Sequence, residues 1–383
     1  MNRAARRNHL GFSLIELMIA LTIGLLLLAG LTTIFVSSSD SSRELQKAAQ
    51  QIENGRYAID LLTQDLRLAG FYDHLHDIGS IAMPGTIPPD PCESANLAEL
   101  QKALNFPVQG YRGTIDATTP ASDAAPDISA TSCGGLLTTA NLKKGSDILV
   151  VRRADTNALA AADTPDLDVL YIQATAIAAD IQKGRSSSSS TIGTTKNATG
   201  AVSVLYLGNP PITPPAAPIR KLHVNVYFVA PCSVGSGTGG VCTGAAAEDR
   251  IPTLKRLELT TSGTMTLVPL VEGIDYFKVE YGVDTTPTAI NTATGYIGDG
   301  AVDSFSEAPA DWKTVIAAKV YLLVRNTELT TGFTDDKTYQ VGSAAASDNV
   351  TVPAATGANA RFKRHVFSAA VELVNPAGRR EIP

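Results

Sequence analysis

Residues 11 to 36, GFSLIELMIALTIGLLLLAGLTTIFV, form an apolar run with one carboxylate, Glu16, near its start. At about 25 residues the run is long enough for a bilayer-spanning helix. A charged side chain at bilayer depth costs roughly 2.5 to 3.5 kcal/mol on insertion scales and is kept where it finds a partner. Glu16 therefore asks for a cation inside the membrane.

Arg3, Arg6 and Arg7 precede the run with no acid among them. The excess of cytoplasmic positive charge keeps the first residues inside and sends everything after Val36 across the membrane. An ordinary secretory signal would have a shorter core, about 7 to 15 residues, and a small-residue cleavage site such as Val36-Ser37-Ser38. An uncut membrane anchor would explain the helix but not Glu16. The junction Gly11-Phe12-Ser13-Leu14-Ile15-Glu16 resembles the processing site of type IV prepilins. That resemblance implies cleavage between Gly11 and Phe12 by a prepilin peptidase and methylation of the new Phe12 amine. It further implies that Glu16 pairs with the Phe12 amine of a neighbouring subunit during assembly.

With 383 residues, 44% of them hydrophobic and 18% charged, the chain can hold one large domain or two smaller ones. Loss of the leader removes three of the 31 basic residues and deepens the net charge of −6. Nothing there supplies a footprint for nucleic acid. Cys92, Cys133, Cys232 and Cys242 are an even set in a segment expected outside the cytoplasm, where disulfides persist. Sequence permits three pairings. Proximity along the chain favours Cys92 with Cys133 and Cys232 with Cys242.

From Ser41 to Ala69 the apolar residues Leu45, Ala48, Ile52, Ile59, Leu62, Leu66 and Ala69 recur at three- and four-residue steps among polar ones. The spacing predicts one helix from Phe12 to Ala69, stopped at Gly70, with a single apolar stripe towards a partner. Beyond Gly70 the pattern turns to β-branched and aromatic runs between Gly, Pro, Thr and Asp clusters. Strands are expected at 147–153, 169–173, 202–207, 222–230, 254–260, 265–270, 277–283, 315–325 and 364–373. In the run from Leu222, Val224, Val226 and Phe228 alternate with His223, Asn225 and Tyr227, as in a strand with one buried face. The segments 183–200, 209–218 and 344–360 read as surface loops. The fold class is α+β, a long N-terminal hydrophobic and amphipathic helix packed on a large antiparallel β-rich head. Its divisions are a leader (1–11), a membrane or filament-core helix (12–36), an amphipathic half (37–70) and the head (71–383), with possible lobes at 71–210 and 220–383.

Blocks in the head permit a narrower comparison. Glu53-Asn54-Gly55-Arg56-Tyr57-Ala58-Ile59-Asp60-Leu61-Leu62, Asp65 to Phe71, Leu270 to Ile274, Val279 to Asp284, Asp311-Trp312 and Val320 to Arg325 resemble the PilW-like minor pilins. The likeness thins across residues 73–140. It implies a pilus-assembly protein that joins other minor pilins and the major pilin, sits near the filament tip beneath an adhesin, and supports adhesion and twitching motility. It also implies that the chain waits in the inner membrane, its C-terminus periplasmic, and moves to the cell surface on assembly. A minor pseudopilin of type II secretion is the alternative, since the leader motif is common to both, and a secreted β-rich adhesin is a third reading. Without the family, Gly55 and Gly70 suit close packing or a helix end, Arg56 and Asp60 are spaced to pair, and Trp312 suits a core anchor.

Little in the chain points to catalysis, and no cofactor is called for. Gly235-Ser236-Gly237-Thr238-Gly239-Gly240 fits GxGxxG, but a nucleotide site needs a strand before it and a helix after it, whereas Cys232 and Cys242 bracket this one. His74 and His76 with Asp77 lack a clear further zinc ligand. Asp284, Asp299 and Asp303 are weak calcium candidates, set around a Gly-rich loop without EF-hand spacing. No GxSxG, HExxH or Walker sequence is present.

Overall fold

The computed structural model describes residues 13–75, 88–115, 122–128, 133, 135–160, 165–166, 169–176, 178–184, 216–260, 264–286, 298–342, 349–351 and 358–380. Gly11, Phe12, His76, Asp77 and the expected strand at 202–207 lie outside these residues. The chain divides into two units, 1–50 and 51–383. A helix, α1 (Leu14–Arg67), belongs to both.

Within the first unit α1 is exposed along its whole apolar run, from Leu14 at 76% to Phe35 at 75%. The Thr22, Thr32 and Thr33 hydroxyls donate to the carbonyls of Ile19, Leu28 and Gly30. Each hydroxyl is thus satisfied inside the helix, as an apolar surrounding demands.

The second unit holds two sheets. The larger comprises β1 (Val108–Tyr111), β2 (Ile148–Ala154), β3 (Leu170–Ala174), β4 (Ala179–Lys183), β5 (Ile219–Ala230), β6 (Thr253–Leu259) and β7 (Met265–Glu272). A short helix, α2 (Leu97–Ala103), precedes β1, capped by the Asn96 side chain, which accepts from Ala98 and Glu99 amides. β5 bonds β2, β3 and β6. The sheet therefore runs across the boundary expected near residues 210–220.

Gly273, at φ +80°, turns β7 directly into β8 (Ile274–Val283). A Cβ there would stand 2.5 Å from the Arg325 carbonyl, so the left-handed turn admits no side chain. β8 opens the second sheet with β9 (Ser304–Ser306) and β10 (Val315–Arg325). Beyond a small ribbon, β11 (Thr338–Gln340) and β12 (Asn349–Thr351), comes β13 (Arg364–Glu372), and the sheet order is β13-β10-β8-β9. A helix, α3 (Val374–Arg380), follows.

Alternation explains the layers. Leu149 and Val151 of β2 face a core shared with α1 and the second sheet, while Ile148 and Val150 face a core containing all four cysteines. Both faces are buried, which is why β2 opens on four consecutive apolar residues, Ile148 to Val151. β5 departs from its expected single buried face: Asn225 and Tyr227, on its more polar side, are 3% and 1% exposed. They lie beneath α1.

The stripe expected on α1 is also corrected. Ala58, Leu62, Leu66 and Ala69 are buried, but Leu45 and Ile52 are 71% and 50% exposed, and Gln51 and Gly55 take the buried positions. Gln51 is held because its amide donates to the carbonyls of Val324 (2.7 Å) and Lys363 (3.1 Å). Gly55 is held because a Cβ would stand 2.3 Å from the Phe367 ring. Asp60 accepts from Gln64 (2.7 Å) rather than from Arg56. Trp312 sits at the core margin, edge-on to Tyr281 at 4.7 Å between centroids.

Candidate functional site

Glu16 lies in the first turn of α1 and is exposed, as are the apolar side chains around it. The carboxylate is well placed electrostatically, since a helix N-terminus favours negative charge. This half of α1 offers one acid on a continuous apolar surface, whose most apolar 18-residue window has a mean hydropathy of 2.5. Such a surface suits a membrane or the packing of like helices.

The other half of α1 is bolted to the head by polar groups. Asp65 is 6% exposed and accepts from Arg153 Nε (2.6 Å), Asn225 Nδ2 (2.8 Å) and Tyr227 Oη (2.9 Å). Burial first, and then the Asp65 charge, push the Tyr227 phenol far above its ordinary value. Asn54 donates to the Glu272 carbonyl at 3.1 Å. At the helix end Gly70, at φ +71°, supplies a left-handed cap, and its amide donates to the Arg152 carbonyl at 2.9 Å. Arg379 of α3 donates to the Gly70 carbonyl and lies over the Tyr72 ring. Sequence reasoning overlooked Asp65, although the signal was there: it falls three residues after Leu62 and seven after Ala58, on the apolar face.

The structure pairs Cys92 with Cys133 and Cys232 with Cys242, at Cα separations of 4.9 and 5.9 Å. Among the described residues the one set of three acid, thiol or imidazole groups within ligating reach is Asp90, Cys92 and Cys133. The disulfide occupies both sulfurs. Thr238–Gly240 of the GxGxxG stretch is a single tight turn, followed by no helix.

The three calcium candidates have separate partners. Asp284, fully buried, accepts from Arg380 Nε and the Gly300 amide, each at 2.9 Å. Asp303 accepts from the Thr286 hydroxyl and the Thr285 amide, each at 2.7 Å, which lowers its carboxyl from the ordinary value. Asp299 accepts from the Ala301 amide at 2.9 Å. His74 lies 3.1 Å from Asp73, itself paired with Arg220 at 3.1 Å.

Comparison with known proteins agrees with this arrangement at both ends. Residues 226–375 match the family described as type IV pilus-assembly protein W, and residues 6–32 match the prokaryotic N-terminal methylation motif. No curated protein and no solved structure matches the chain. The first match takes in β6 to β13, including the strands β10 and β13 that meet α1 at Gln51 and Gly55; the second contains Glu16. With both matches in one polypeptide, the chain is similar to the PilW-like minor pilins of type IV pili in its head strands and in its N-terminal motif alike.

Proposed function

We propose that this protein is a minor pilin that primes type IV pilus assembly within a tip complex, and so supports adhesion and twitching motility. The carrying observation is the exposed apolar half of α1 with its single carboxylate at the first turn. A prepilin peptidase cuts between Gly11 and Phe12 and methylates the Phe12 amine. Until assembly the helix rests in the inner membrane with the head in the periplasm. On assembly Glu16 neutralises the Phe12 amine of a neighbouring subunit, and the apolar helix faces pack together. The two disulfides support an oxidising compartment for the head. Its role is structural, and its partners are other minor pilins and the major pilin.

The test is the amount of major pilin sheared from cells lacking this protein, with intact and Glu16→Ala copies restored in parallel. Loss of surface pili that only the intact copy recovers is the expected result. Unchanged pili in the deletion strain would overturn the reading and turn attention to a type II secretion filament, read by exported enzyme activity. Mass spectrometry of the mature chain should show methylated Phe12 at its start.

A further inference from the structure

β13 is an edge strand. Its nine residues pair with β10 from Ala317↔Glu372 to Arg325↔Arg364. Along its other edge, none of the described residues bonds the backbone from His365 to Glu372. His365, Ser368, Ala370 and Glu372 are exposed. An open edge presents a row of amides and carbonyls ready to pair with another chain, and proteins ordinarily blunt it with short strands, proline or charge. The other edges of the two main sheets are blunted. β1, β4 and β9 have four, five and three residues, and β7 carries Pro269, which lacks a donor. β13 has no such guard: Val366 to Val371 is VFSAAV, six residues without charge, proline or glycine.

We propose that the outer edge of β13 receives an extended segment of a different filament subunit by strand addition. An edge, unlike an apolar face, states the chemistry of its occupant: a β-strand, bonded through its main chain. Small side chains at Ser368 and Ala370 leave room for β-branched or aromatic residues opposite, and Glu372 favours a base at the matching end. A second copy is a poorer fit. All strand pairs among the described residues are antiparallel. Two β13 strands paired in that way are related by a twofold axis perpendicular to the sheet. The α1 segment from Gln51 onward lies along one face of this sheet, with Gly55 under Phe367 and Gln51 bonded to Val324 and Lys363. The twofold would reverse one helix against the other, whereas helices anchored in one bilayer or one filament run the same way.

The partner's identity rests on the pilus reading; the open edge does not. The experiment replaces Ser368 by photoreactive benzoylphenylalanine in the full-length chain, irradiates intact cells, and sequences the cross-linked peptide. In parallel, Ala370→Lys places a charge on the edge, with Ser368→Lys as a second variant should the first fail to accumulate. The cross-link is expected within a β-strand of another pilin-type subunit, and the lysine variants are expected to accumulate normally while surface pili fall about tenfold or more, equivalent to about 1.4 kcal/mol. A cross-link only to a second copy of this chain, or lysine variants that assemble fully in a strain whose deletion abolishes pili, would overturn the proposal while leaving the priming role intact. Normal pili in the deletion strain would instead fault the priming role, and the cross-linked peptide would still decide the edge.

Discussion

Asp65 is an acid on the apolar face of a helix, held by three donors, Arg153, Asn225 and Tyr227. Asp65→Ala should destabilise the head by about 3–5 kcal/mol, because removing one member of a buried pair leaves the others desolvated; urea denaturation of the purified protein measures it. Gly55→Ala drives a methyl into the Phe367 ring, and overpacking of that kind costs about 1–3 kcal/mol. Asp275 sets the acid limit of the fold. Burial pushes its carboxyl up, but Lys143, Arg364 and Arg325 overcome that and hold it well below the ordinary value. A carboxyl depressed by folding contributes stability above its unfolded pKa, and that contribution is lost as the pH falls below about 4. Between pH 7 and pH 3 the urea midpoint should therefore drop more for the wild type than for Asp275→Asn. Some slope remains in the variant, since backbone amides also hold the Glu248 carboxyl down to about 2. At this scale the sequence was legible where a residue's type matched its role, as for Gly55. Gln51 and Asp65 were missed because each is polar yet buried: helical spacing marks the position of Asp65, but only its tertiary partners explain an acid there.

Elements were more legible than their contacts. The β10 boundaries match expectation, and β5, β6, β7, β8 and β13 differ by a few residues at their ends, because long β-branched runs announce themselves. α3 was missed because its sequence, VNPAGRR, contains proline and glycine. Pro376 is tolerated there as the third residue of the helix, where its missing amide would have no intrahelical partner. β4, ADIQK, was missed as well, because it has one strongly apolar residue. The two disulfides differ as constraints, closing separations of 41 and 10 residues. If loop entropy dominates, replacing Cys92 and Cys133 together by alanine should cost about 1 kcal/mol more than replacing Cys232 and Cys242. Chemical denaturation of the two double variants under oxidising conditions gives that difference.

For the whole molecule the division at Gln50 carries a solubility consequence. The core formed by α1 from Ala58, β2, β5, β8, β10 and β13 lies entirely in residues 51–383. A chain beginning at Gln51 should therefore dissolve without detergent and keep the near-UV circular dichroism of the full protein. Loss of that signal would show that the head depends on the preceding residues. The full chain, with its apolar helix uncovered, should aggregate when detergent is withdrawn.

The clamp between Gly70 and Arg379 joins residues 309 positions apart. A polypeptide is made N-terminus first and so presents α1 early, yet the base of that helix stays unfastened until Arg379 follows, 309 positions later. Arg380 reaches Asp284 at the same late moment, across 96 positions. Contacts of such span form slowly, after the chain between them has been ordered. The two arginines thus act as a late latch: until both are in place, the base of α1 and the Asp284 carboxylate lack their last polar partners.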